Sequence, residues 1–147
     1  MDVIGHIPAR VVGVDYGTKR VGIALADPLR MFAQPYGTFS PAEAEQVLFR
    51  LYEEHGLATI VVGWPVLPDG TEGAATAFVR PFIERLRELF PSVEIVQWDE
   101  LFTSQIAERA IRESGARRKA RRDKARVDAA AAAVILQEYL DSTGRAL

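Results

Sequence analysis

The sequence predicts an α/β fold: a mixed five-stranded sheet, three antiparallel strands followed by two strands reached through helices, with helices on both faces. Three observations predict it. The apolar runs Val11–Val14 and Arg20–Ala26 are joined by so few residues that they must pair antiparallel. Two later apolar runs each follow a segment with helical apolar spacing, the mark of strands reached by crossovers. The chain has 147 residues, 48% hydrophobic and 26% charged, which suits one globular domain with a core of its own.

The elements follow in order. Val11, Val12 and Val14 form a β-branched run ending at Asp15, Tyr16-Gly17-Thr18-Lys19 is turn-like, and Arg20–Ala26 resumes a strand. Asp27-Pro28 breaks it, and Met31–Phe39 reads as a third strand edged by Pro35, which has no N–H for a ladder. Ser40-Pro41-Ala42-Glu43 opens a helix, with Ser as N-cap, Pro at the first position and Glu closing a capping box. Ala44, Val47, Leu48, Leu51 and Tyr52 share one stripe of that helix, which ends near Gly56. Ala58–Gly63 lacks alternation, as a strand covered on both faces does. Trp64–Gly73 reads as a loop, and Ala74–Phe90 as a helix with Phe78, Phe82, Leu86 and Leu89 on one side and a kink at Pro81. Val93–Trp98 is a fifth strand, Thr103 or Ser104 caps a helix running to about Glu113, and an Ala-rich helix spans Lys124–Leu140.

Residues 10–141 are expected to form the single domain, with flexible ends at 1–9 and 142–147 and a mobile basic loop at 114–123. The chain has no Cys, which excludes disulfides, thiolate metal sites and Cys nucleophiles. No apolar run reaches the roughly 18 residues of a membrane span, and the first ten residues do not resemble a secretion signal. A cytoplasmic protein with no membrane partner is expected.

The formal net charge of −2 hides a division along the chain. Between Arg109 and Arg126 lie nine of the 18 basic residues against only Glu113 and Asp123, a net +7 that leaves −9 for the remainder. Such a run ordinarily forms a solvated surface; beside a suitable site it forms a phosphate-binding strip.

Three acidic positions point to a site. Asp15 ends a strand, Asp99 and Glu100 follow another, and Asp128 sits in the last helix with Ala131, Ala132, Ile135 and Tyr139 at i+3, i+4, i+7 and i+11. Asp after a strand often only steadies a turn. Asp128, by contrast, lies on the face that packs on the sheet, and a buried carboxylate must protonate, pair or bind metal. Alanines beside it permit close approach to the strand ends. Clustered carboxylates suit Mg²⁺, which keeps open positions for substrate phosphates.

Several blocks together resemble a known family. Gly13-Val14-Asp15-Tyr16-Gly17-Thr18-Lys19-Arg20-Val21-Gly22-Ile23-Ala24 with Asp27-Pro28 is similar to the opening signature of the YqgF/RuvX family of Holliday-junction resolvases. Val61-Val62-Gly63-Trp64-Pro65 with Asp69–Gly73, then Trp98-Asp99-Glu100, then Lys124–Asp128, follow in the same order. The resemblance implies an RNase H-like fold and a metal-dependent endonuclease with Asp15, Glu100 and Asp128 as catalytic metal ligands. Asp99 could exchange roles with Glu100, because adjacent strand residues face opposite ways. In one place the chain departs from the family: Leu101 stands where Arg is usual, which bears on substrate affinity or rate and not on fold.

The expected chemistry is phosphodiester hydrolysis with two Mg²⁺ or Mn²⁺ ions about 4 Å apart. Lys19 is expected to touch a backbone phosphate, with Arg20 beside it, and Thr103 to bond a phosphate or simply cap its helix. Arg117, Arg118, Lys119, Arg121, Arg122, Lys124 and Arg126 are expected to bind nucleic acid through salt-sensitive phosphate contacts. Trp64 is a candidate for base stacking, against the commoner role of packing on the sheet edge. Branched DNA, cut by a homodimer in recombination and repair, is the leading substrate. Alternatives are a ribonuclease of ribosomal RNA maturation, a non-catalytic nucleic-acid-binding protein, and a phosphotransferase, since Asp-x-Gly-Thr also opens the phosphate loop of actin-like and sugar-kinase folds.

Overall fold

The computed structural model describes residues 9–17, 19–65, 73–99 and 120–144, excluding the side chains of 74–75, 120–127 and 144. Its elements are β1 (Arg10–Tyr16), β2 (Val21–Ala26), β3 (Ala33–Phe39), α1 (Pro41–His55), β4 (Leu57–Trp64), α2 (Ala74–Leu89), β5 (Glu94–Asp99) and α3 (Ala120–Gly144). The five strands form one sheet in the order β3-β2-β1-β4-β5. β1 pairs antiparallel with β2 and parallel with β4, β2 pairs antiparallel with β3, and β4 pairs parallel with β5. This is the predicted mixed sheet, and its order and directions are those of an RNase H-like fold. The C-terminal ends of β1, β4 and β5 therefore share one edge.

Each face of the sheet has its own core. Val12, Val14, Ile23, Ile60 and Val62 pack with Leu48, Leu51, Ile83 and Leu86 of α1 and α2. Val11, Ala24, Ala26 and Val61 pack with Ala132, Ile135, Leu136 and Leu140 of α3. Burial on both sides explains why β1 and β4 show no polar alternation. Each fully buried branched aliphatic contributes roughly 1.5–3 kcal/mol relative to exposure.

Local chemistry sets the boundaries. At α1 the Ser40 hydroxyl accepts from the Glu43 N–H (3.2 Å) and the Glu43 carboxylate accepts from the Ser40 N–H (3.2 Å), completing the capping box. Gly56, at φ 74°, ends the helix in a conformation that favours glycine. β3 begins at Ala33, not Met31, because the Asp27 carboxylate accepts from the N–H groups of Met31 (2.8 Å) and Phe32 (2.7 Å) and holds them in a turn. β3 is an edge strand, and its pairing slips beside Pro35, where an edge tolerates a missing donor.

Three boundaries differ from expectation. Trp64 is the last residue of β4 and not part of a loop, since its ring packs into the core under α2. α3 begins at Ala120, so residues 120–123, expected in the mobile basic loop, are helical, and it extends to Gly144. Ala, Arg and Lys are strong helix formers even without an apolar stripe, and that propensity carries the first turns. The helix expected from Thr103 or Ser104 to Glu113 lies outside the described residues.

Candidate active site

Asp15 ends the α3-facing row of β1. Val12 and Val14 are buried on the α1/α2 side, so Val11, Gly13 and Asp15 face α3. Asp15 is partly buried, and its partner across the antiparallel ladder is Gly22. Directly paired residues project from the same face. At Gly22 that face meets the backbone of Asp128: a Cβ there would overlap the Asp128 carbonyl oxygen and lie 2.8 Å from the Ala129 nitrogen. A Cβ at Gly13 would likewise lie 2.8 Å from the Ala132 carbonyl oxygen and 2.7 Å from the Leu136 Cβ.

Two glycines thus form the floor on which α3 lies, and they set its direction. From Asp128 to Leu136 the helix runs back along β1, from the level of Asp15 toward Gly13. Asp128, partly buried, is therefore brought to the same end and the same face as Asp15. Trp98 of β5 anchors the helix from the other side. Its indole N–H donates to the Glu138 carboxylate (3.0 Å), and its ring meets Tyr139 edge-on at 5.9 Å.

The strand phase separates Asp99 from this pair. Ile95 packs on the α1/α2 side while Val96 and Trp98 pack on the α3 side, so Asp99, paired with Trp64, falls on the α1/α2 side. Asp99 is exposed and faces away from Asp15. Glu100 and Thr103 lie outside the described residues, as do Arg117, Arg118 and Lys119. Among the described residues no three His, Asp or Glu side chains are grouped to hold an ion.

The sequence model of the family described as RuvX, Holliday junction resolvase, matches residues 9–142. The chain belongs to the RuvX family. A relative from Salinibacter ruber is 56% identical over 136 residues, covering 92% of this chain and 95% of that protein. One from Chlorobaculum tepidum is 47% identical over 133 residues, covering 90% and 94%. Another from Porphyromonas gingivalis is 37% identical over 136 residues, covering 92% and 99%. Each carries the name "Putative pre-16S rRNA nuclease". Among solved structures, a "putative sugar kinase" of Cytophaga hutchinsonii aligns with a TM-score of 0.42 at 14% identity, covering 68% of this chain and 39% of that one.

Two cationic residues of this RuvX-family chain stand at the same edge, and four more positions precede Asp128 on α3. Lys19 is exposed and Arg20 partly buried in the β1–β2 turn, which the Gly17 N–H closes by donating to the Arg20 carbonyl (2.9 Å). Arg121, Arg122, Lys124 and Arg126 belong to the turns of α3 before Asp128, a helical segment that continues about 12 Å beyond it at 1.5 Å per residue. Given the direction of α3, that segment leads past the strand ends and away from the sheet. Among the described residues no helix is long and apolar enough to cross a membrane.

The sequence also missed a group of aromatic residues on the other side of this edge. Trp64 is only 5% exposed, with the Arg80 guanidinium 5.1 Å from its ring centroid, so it offers no free face for stacking. Tyr16, next to Asp15 in the chain, stacks on Phe82 (4.1 Å between centroids, 16° between planes) and meets Phe78 at 5.5 Å. Burial, and secondarily the nearby Glu45 carboxylate, push the Tyr16 hydroxyl pKa up, so the phenol stays neutral at physiological pH. Phe78 leaves 37% of its surface exposed. The signal for it was its position in the first turns of a helix that follows a strand's C-terminal end.

Proposed function

We propose that this RuvX-family chain is a divalent-metal-dependent nuclease that hydrolyses phosphodiester bonds in ribosomal RNA precursors. The observation that carries the chemistry is the backbone contact of Asp128 on Gly22, which brings a second carboxylate to the strand end that bears Asp15. A contact that leaves no space for a Cβ fixes the helix and so limits how far these acids can separate. Hard oxygen donors of this kind fit Mg²⁺ or Mn²⁺.

Asp15 and Asp128 would hold the metal together with Glu100. The place of Asp99 on the opposite face supports Glu100 for that role. Bound divalent ions, two in the expected site, supply Lewis acidity toward a phosphoryl oxygen and lower the pKa of water. Lys19 draws a backbone phosphate toward the carboxylates. The basic residues from Arg117 to Arg126, with Thr103, hold flanking phosphates without reading sequence, so affinity falls steeply as salt rises.

The RNA reading replaces branched DNA as the leading one because the relatives that cover nearly the whole chain are named for a pre-16S rRNA substrate. The family's own description retains Holliday junctions as the second reading, and with it a homodimer placing two cuts. The deciding experiment offers labelled RNA carrying the precursor ends of 16S rRNA, a four-way DNA junction and single-stranded DNA in Mg²⁺, Mn²⁺ or EDTA. The proposal expects metal-dependent cutting of the RNA in preference to the junction. Preferential symmetric cutting of the junction would restore the resolvase reading, and no cutting of any substrate would refute both.

A further inference from the structure

We infer that Phe78, backed by Tyr16, is a stacking platform for an unpaired base of the RNA strand beside the cut; this deepens the nuclease reading and rests on it. Four features of the molecule meet at this point. Phe82 and Phe78 lie one helical turn apart on α2, yet Phe82 is 6% exposed and Phe78 37%, so the apolar stripe emerges from the core as it approaches the edge that bears Asp15. A scattered exposed phenylalanine is ordinary. Here the ring is the outer member of a preformed series, because Tyr16 is stacked on Phe82 and Phe78 leans on Tyr16.

That backing lowers the entropy lost when a base arrives, since the ring is already held. Arg80 is exposed on the same stretch of α2 with its guanidinium over Trp64, and Lys19 is exposed in the turn that follows Tyr16. The edge therefore carries an apolar ring and two exposed cations, with carboxylates on one side of the sheet and the ring on the other. A strand whose phosphate lies at Asp15 needs to cross only the width of the sheet edge to lay its neighbouring base on Phe78. A base inside a duplex has both faces covered already, so the occupant is an unpaired one. The consequence is a specificity: cuts fall next to unpaired nucleotides and are disfavoured inside continuous duplex.

The test measures binding in EDTA, so that nothing is cut, of a fluorescein-labelled 12-nucleotide single-stranded RNA and of the same length as duplex, to the full chain. Phe78→Leu keeps the apolar bulk and removes the aromatic face; it is expected to weaken single-strand binding about ten-fold and leave duplex binding within about two-fold. Phe78→Trp is expected to restore single-strand affinity, with its indole fluorescence quenched by the single strand and not by the duplex. Equal weakening of both ligands, or single-strand binding unchanged in Phe78→Leu, would overturn the platform while leaving the nuclease reading in place. Wild-type protein that binds neither RNA would remove the nuclease reading and the platform with it.

Discussion

Gly22 and Asp128 meet backbone to backbone: the space a Cβ would need at Gly22 is filled by the Asp128 carbonyl. Main chain on both sides cannot rotate aside as a side chain can. Gly22→Ala is therefore expected to push α3 off the sheet at this end, costing roughly 1–3 kcal/mol of stability and lowering nuclease activity by more than the stability loss explains. Urea unfolding and a cleavage assay on the same preparation check it. A variant as stable and as active as wild type would show that α3 does not sit this close.

Trp98 holds the other flank of α3 through its hydrogen bond to Glu138. Trp98→Phe keeps an aromatic ring against Tyr139 but removes the donor and part of the packed ring, so the expected cost is about 1–2 kcal/mol, kept small because both partners are partly exposed. Chemical denaturation reads this directly. No change in stability would mean that the bond contributes nothing net.

Asp27 supplies a pH dependence whose sign can be worked out. Its carboxylate accepts backbone N–H groups, that of Phe32 foremost and that of Met31 next, and these hold its pKa below the ordinary aspartate value of 3.8. A depressed folded-state pKa means that the stabilisation is complete well above 3.8 and is lost as pH falls through the lower native value. NMR titration of the Asp27 carboxyl should give a midpoint below that of an aspartate in an unfolded peptide, and Asp27→Asn should flatten this part of the acid limb. A midpoint at or above the peptide value would contradict the turn geometry.

The parts of this molecule that were legible in the sequence are those governed by local rules. The capping box at Ser40 and Glu43 needs only neighbouring residues, and the face of α3 carrying Asp128 follows from helical spacing. Parts decided by distant packing were not legible. Gly13 and Gly22 read as ordinary strand residues until α3 is laid on them, and the phase that sends Asp99 to the far face depends on its pairing with Trp64. Phe78 shares its stripe with Phe82 and Leu86, so spacing alone does not distinguish it from core; only the end of the sheet exposes it. α3 begins earlier than its apolar periodicity, because Ala, Arg and Lys favour helix without it.

If Asp15 and Asp128 act together on a phosphodiester, removing either carboxylate stops cutting and spares binding. Wild-type, Asp15→Asn and Asp128→Asn proteins are assayed on the same 16S precursor RNA with Mg²⁺ for cleavage, and with EDTA for binding. The account predicts at least about a hundred-fold loss of cleavage in both variants, the scale on which a group acting on the reacting atoms contributes, with RNA affinity within a few-fold of wild type. Asp128→Asn protein that cuts the RNA as fast as wild type would contradict it.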